Sequence, residues 1–361
     1  LSPLTGILAI MIPYSGIFAR VYAEILERQS ALPGSTLPPG SDLLSRHLYT
    51  LFAQASGELR AYTGYRFECA LRSSAILGFI GLPTLGFHLE SAFREGRYAE
   101  GSGIMLLFFA LIASKRIWLR PRLLPVLLPL SVWLLPDAAV GHSTHGWQFF
   151  SQDLWPTPLR EGDIIGAWHW NREEFSAVAA PALVDTLLLS QLALVLSGAC
   201  ALICYGWACR TLVSAPLYTA GHTLLLLMRS TPEIILAFIL LLVLGPSGLP
   251  AVIALALHNG GLIAYLLAAR ADQITLRADA SEGLNRFFYE LTPRLYPGFL
   301  ALLLYRWEVI LRESAILGIL GVTTLGFYID SAFEDIRYDR AMFLILIAAV
   351  LNTLVDALSR R

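Results

Sequence analysis

Apolar runs of about 20 residues, the length a helix needs to cross a bilayer core, alternate with polar connectors along this chain. The first is LTGILAIMIPYSGIFARVYA at residues 4–23. A polar stretch carrying Pro33, Pro38 and Pro39 follows to about residue 58, and prolines so placed break helices. The pattern then predicts spans at 58–80, 102–118, 123–140, 182–206, 249–269, 297–320 and 341–357, with one more at 215–246 broken near Pro232. Residues 81–100 read as an amphipathic re-entrant or interfacial piece. Residues 141–178 read as a long polar loop whose Trp147, Trp155, Trp168 and Trp170 suit a membrane–water boundary. That makes nine spans.

One stretch occurs twice. YRFECALRSSAILGFIGLPTLGFHLESAFREGRY at 65–98 and YRWEVILRESAILGILGVTTLGFYIDSAFEDIRY at 305–338 share 20 of 34 positions without a gap, at an offset of 240. Several differences exchange like for like, as at Phe67/Trp307 and Glu90/Asp330. Chance does not produce this, so the chain is a tandem duplication. We place the first repeat at 1–122 and the second at 123–361, with the loop 141–178 inside the second. Residues 1–20 match about 246–265, the middle of a repeat, so three further helices are expected upstream of Leu1.

Composition agrees with the spans. Apolar residues make up 56% of the chain, charged residues 15%, and the mean hydropathy is +0.62. A soluble domain carries about 25% charge, so this reads as an all-α integral membrane protein lying in a lipid bilayer. The net charge of −1 gives no sign of a nucleic-acid partner. Arginines orient the spans. Those at 20–60, 115–122 and 270–294, and the Ser-Arg-Arg end, fall on one side, which is then cytoplasmic; loop 141–178, where acidic residues outnumber basic ones, is external. The two repeats are then parallel, related by an axis along the membrane normal.

Little in the chain suggests catalysis. A phosphate-cradling loop of the G-x-x-x-x-G-K-[ST] type needs a lysine, and the single lysine, Lys115, has no glycine near it. No cofactor motif is found. His142 and His145 lack the spacing of one helical face and have no adjoining carboxylate cluster, so no metal ligand is assigned. Cys69, Cys200, Cys204 and Cys209 read as packing residues in or beside apolar helices.

The stretches RSTPEIILAFILLLVLGPSGLPAVIALALHNGGLIAYLLA (229–268) and FFYELTPRLYPGFLALLLYRWEVILRESAILGILG (287–321) resemble the transmembrane subunit of bacterial phosphonate ABC importers. The resemblance covers nearly all of the second half and, through the repeat, residues 1–125. It implies tandem parallel repeats of the type I ABC importer permease fold, with two units fused where the usual member is a homodimer. It also implies two ABC ATPase subunits and an external solute-binding protein as partners, a multi-pass place in the bacterial cytoplasmic membrane, and a phosphonate, phosphite or phosphate as cargo. A cytoplasmic coupling helix is implied in each half. In the second half it corresponds to Arg277, Ala278, Asp279 and Ala280, with Gly283 as the turn and Pro293 beyond; Gly283 to Pro293 is shorter than the family's spacing, and the acidic-Ala-Ala start is missing. In the first half, Arg20–Leu51, no convincing copy is found. A secondary transporter, or a membrane subunit that kept the fold without transporting, are the alternatives. The first would need carboxylates at mid-membrane, whereas the acidic residues here lie near helix ends.

Charges inside the spans are expensive and therefore informative. Glu308 and Arg312 are i, i+4, as are Glu68 and Arg72. They are either paired charges near helix ends or, with Arg66 and Arg306, a positive ring at the inner mouth of a path for anions. Glu313 stands where the first half has Ser73, so the halves differ in charge. Arg229 and Glu233 flank Pro232 and read as fixing a helix start. His258 and Asn259, ahead of Gly260 and Gly261, either face the translocation path or pack as a polar pair between helices.

Overall fold

The protein is described here by a computed structural model covering residues 3–30, 40, 42–79, 81–118, 120, 123–134, 147–245, 247–277, 279 and 281–359. Among these residues every regular element is helical. The chain divides into two compact units, 1–141 and 142–361.

In the first unit, α1 (Pro3–Glu27) packs on α3 (Ala53–Phe79), with α2 (Leu43–Arg46) and one wider π turn (His47–Phe52) between them in sequence. Phe18 meets the Tyr62 ring edge-on, and Tyr22 Oη lies 2.5 Å from Thr63 Oγ1. Then come α4 (Leu85–Arg94), α5 (Tyr98–Ala113) and α6 (Leu124–Trp133). Leu82, Leu89, Ala92, Phe93 and Phe108 form the buried interior.

The second unit opens differently from the sequence expectation. Residues 141–146 lie outside the described residues, but α7 (Ile164–Glu174) lies inside the expected loop 141–178 and runs through one wider turn into α8 (Ala180–Cys204). The uninterrupted helical stretch is Ile164–Ala208, 45 residues. Asp163 starts it, its carboxylate accepting the Gly166 N–H at 2.9 Å. Beyond Gly166, in the first turn, no glycine or proline follows until Pro181, so nothing in 167–180 stops the helix despite its polarity. Glu174 fastens this extension to α14 (Tyr338–Ser359) through Arg340 at 2.8 Å, with Arg337, just ahead of α14, at 3.5 Å.

The faces of these helices are turned inside out relative to a water-soluble bundle. On α8, Ala182, Thr186, Ser190, Ala193, Ser197 and Ala201 are buried, while Val184, Leu188, Leu192 and Val195 are exposed. On α14, Leu346, Val350, Leu354 and Leu358 form a similar outward stripe. Small residues let helices approach and large aliphatic ones face lipid. Among the described residues, four helices are long and apolar enough to cross a membrane, and up to six spans result if each of two bent pairs is one span. The chain is a multi-pass membrane protein.

One bent pair sits where proline foretold it. α9 (Ala215–Ser230) and α10 (Glu233–Leu244) meet at 95°. Pro232 has no N–H to donate and pushes Thr231 to extended backbone, φ −71° and ψ 124°. α11 (Gly248–Ala271) is the most enclosed of the spans, with α8, α9, α10 and α12 (Thr292–Ile316) around it. A Cβ on Gly260 would stand 2.8 Å from Cys200 Cβ, and one on Gly261 2.6 Å from Met228 Cβ, so both glycines are needed for this packing. α13 (Leu325–Glu334) then precedes α14, its first N–H satisfied by Thr186 Oγ1 at 2.9 Å.

The duplicated stretch folds alike in each unit. Gly81 and Gly321 turn the chain with φ of 87° and 84°, conformations that suit glycine. Thr84 and Thr324 follow as extended N-cap residues, and α4 and α13 keep the offset of 240 at both ends. The Arg97 N–H reaches Ala92 O and the Arg337 N–H reaches Ala332 O, both at 2.8 Å.

Candidate functional site

The broken span places a polar cluster inside the second unit. Glu233 is the first residue of α10, His258 and Asn259 sit midway along α11, and Glu313 lies in the last turn of α12. His258 and Asn259 are 2% and 0% exposed. His258 Nδ1 lies 2.9 Å from Thr231 O, which the bend at Pro232 leaves without a helical partner, and Nε2 lies 3.9 Å from Glu233 Oε2. Asn259 Nδ2 donates to Leu255 O at 3.1 Å and to Glu313 Oε2 at 2.9 Å. One ligand-type atom from each of Glu233, His258 and Glu313 lies within 4.8 Å of the others. The acidic residues do lie at helix ends, as the sequence suggests, but the break brings those ends against the middle of α11.

Sequence reading singled out His258 and Asn259 and did not join Glu233 and Glu313 to them. Partners separated by 25 and 54 residues leave no periodic trace. The one available signal was the Ser73/Glu313 exchange inside an otherwise repeated R-x-S-A-I-L-G block. The first unit holds a neutral counterpart: Tyr14 Oη lies 3.2 Å from Ser73 Oγ. With residues 1–20 set against 246–265, Tyr14 is the match of Asn259. Each half thus ties the same two helices at the same level, once with hydroxyls and once with an amide and a carboxylate.

The expected charges are only partly gathered. Arg312 donates to Glu308 Oε1 at 2.8 Å, so that i, i+4 pair forms. The side chains of Glu68 and Arg72 lie outside the described residues. Arg306 is buried on α12, whereas Arg66 donates to Tyr62 Oη at 2.7 Å and lies over the Tyr62 and Tyr65 rings. The two arginines are repeat-equivalent in sequence but differently surrounded.

In the expected coupling segment, Ala278 and Ala280 lie outside the described residues. Arg277 and Asp279 are exposed, Gly283 turns the chain at φ 61°, and Pro293 is exposed in the first turn of α12. Gly283–Asn285 is a short helical turn that widens through Arg286–Leu291 into α12. Arg286 Nη1 donates to Thr211 O at 2.8 Å and Nε to Ser281 O at 2.7 Å, and Arg294 Nη1 donates to Thr275 O at 3.2 Å. These bonds hold the connector while Leu284, Phe288 and Tyr289 stay exposed.

In the first unit, where the sequence offers no convincing copy of this segment, a stretch of the same local form is found. Leu43–Arg46 and the wider turn His47–Phe52 repeat Gly283–Asn285 and Arg286–Leu291, and Leu44, Leu48 and Tyr49 are exposed in the same register. At the offset of 240, Leu44/Leu284, Arg46/Arg286, Tyr49/Tyr289 and Leu51/Leu291 are identical. The positions that differ are the glycine and the proline of the family spacing: Leu43 stands where the second half has Gly283, and Ala53 where it has Pro293.

No family profile matches the chain. It is 24% identical, over 99% of its length and 71% of the other's, to the phosphate-import permease protein PhnE of Mycolicibacterium smegmatis. It is 28% identical, over 49% of its length and 67% of the other's, to the phosphite transport system permease protein PtxC of Stutzerimonas stutzeri. Among solved structures, an amino acid ABC transporter matches at TM-score 0.43 and 19% identity, covering 55% of this chain and 96% of that one. The MetNI methionine ABC transporter matches at TM-score 0.47 and 18% identity, covering 52% and 96%. The sequence matches make the chain a homologue of the permease components of phosphonate-, phosphite- and phosphate-type ABC importers.

Proposed function

We propose that the chain is the transmembrane permease of an ATP-driven importer that carries a phosphonate, phosphite or phosphate across the bacterial cytoplasmic membrane. Two permease units are fused in one chain, hydrolysis belongs to separate ATPase subunits, and an external binding protein delivers the cargo. The observation that carries this reading is the similarity over 99% of the chain to a phosphate-import permease. It is supported by the repeated block that folds alike in both units.

In this reading the segments 43–52 and 277–293 both lie on the cytoplasmic side and present their exposed Leu and Tyr side chains to the ATPase pair. Loop 141–178, now partly helix, is external. Arg66 and Arg306, with the Glu68/Arg72 and Glu308/Arg312 pairs, line the inner mouth of the path. His258 and Asn259 hold helices together beside it: they are almost fully enclosed, and two neighbouring glutamates make a poor surface for an anion.

The test is uptake into vesicles that contain the chain with its ATPase and binding protein. Accumulation of labelled phosphite, phosphonate or phosphate should require ATP and all three components. Uptake driven by an ion gradient without ATP would establish the secondary-transporter alternative instead.

A further inference from the structure

The geometry points to a divalent-metal site at Glu233, His258, Asn259 and Glu313, a site for a first-row cation such as zinc that goes beyond the transport reading and does not depend on it. Three observations converge. First, two carboxylates and an imidazole from three different helices place ligand atoms within 4.8 Å of one another. Nitrogen and oxygen donors in that number suit zinc or a neighbouring first-row ion, bound at about 2.0–2.2 Å. Second, His258 is oriented as a ligand is. Nδ1 is held at 2.9 Å by a backbone carbonyl, Thr231 O, which with the proton on Nδ1 leaves the Nε2 lone pair directed toward Glu233; metal-bound histidines are held in this way by their other nitrogen. Third, Asn259 reaches into the cluster through Nδ2 on Glu313, and its Oδ1 is buried with no hydrogen-bond partner. That oxygen is one amide group's width from the contact with Glu313, and a buried unpaired amide oxygen is costly. A cation in the cluster would satisfy it.

Charge favours the same conclusion. Two half-buried carboxylates brought together repel one another, and a divalent ion between them cancels that repulsion. Tetrahedral ligands on bonds of about 2.1 Å lie about 3.4 Å apart, so the 3.9 Å from His258 Nε2 to Glu233 Oε2 closes by a small side-chain rotation. The ion would fasten the start of α10 and the end of α12 to the middle of α11. Ser73 replaces Glu313 in the first half, so the repeat does not duplicate this site.

The probe is Co²⁺, whose visible absorption reports its ligands, added to the tag-free full chain in nanodiscs and then displaced by Zn²⁺. One ion per chain is expected, released by zinc. His258→Gln and Glu313→Ser should each weaken binding about a hundredfold or more, and Glu313→Asp should recover part of the loss. His222→Gln, outside the cluster, should bind as the parent does. Glu233→Gln, which keeps side-chain shape, supplies the readout if the more buried variants fail to give a monodisperse protein. Binding by the parent no stronger than by these variants would overturn the site, leaving a cluster that shares protons.

Discussion

At the scale of single residues, the duplicated turn is packed through glycines at which any side chain would meet backbone. A Cβ on Gly78 would stand 2.1 Å from Phe87 N, and one on Gly318 would stand 2.2 Å from Phe327 N. Both obstacles are backbone, so the chain itself has to move. Gly78→Ala and Gly318→Ala should each cost about 1–3 kcal/mol as overpacking does, read as a lower apparent melting temperature of the purified chain. Gly57, inside α3, meets nothing within 4 Å, and Gly57→Ala should be neutral or stabilise by up to ~1 kcal/mol. Equal melting temperatures for the Gly57 and Gly318 variants would show that the two packed turns are not held as described. These glycines were legible as identities in the repeat. The Glu233–His258–Glu313 cluster was not, because it depends on which faces of three helices meet, and one sequence does not state that.

At the scale of elements, apolar periodicity located most of the helices, while polar helices escaped it. Ile164–Glu174 reads as loop because it carries His169, Asn171, Arg172, Glu173 and Glu174; the absence of a breaker between Gly166 and Pro181 was the better guide. The segment 43–52 escaped for a different reason. What it shares with 283–291 is the wider turn and the Leu and Tyr identities, not the glycine and proline that define the family spacing. If both copies dock an ATPase subunit, Tyr49→Ala and Tyr289→Ala should each reduce ATPase co-purification. A large exposed aromatic side chain is a common anchor in such contacts, where truncation costs about 2 kcal/mol or more, a thirtyfold loss or greater at fixed concentration. Gel filtration of each variant alone should be unchanged, since neither ring is buried. Loss confined to Tyr289→Ala would mean that only the second half docks.

At the scale of the whole molecule, the matter to settle is how two copies of one unit share a membrane. Their sequence likeness and common local geometry hold within each unit, 1–141 and 142–361. Charge predicts the membrane orientation of each. Arginines concentrate at 20–60 and at 270–294, and basic residues near span ends remain on the cytoplasmic side. Parallel repeats would therefore put residues 49 and 289 on one face and residue 155 on the opposite face. In a chain whose Cys69, Cys200, Cys204 and Cys209 are replaced by serine, single cysteines at Tyr49, Tyr289 and Trp155 can be probed with a membrane-impermeant maleimide. All three side chains are exposed, so access is limited by the membrane alone. From the outside, Trp155→Cys should label at once, and Tyr49→Cys and Tyr289→Cys only after the membrane is opened. Labelling of Tyr49→Cys and Tyr289→Cys from opposite sides would make the repeats inverted. No axis along the membrane normal would then relate them, and two ATPase subunits could not meet both copies of the docking segment from one side.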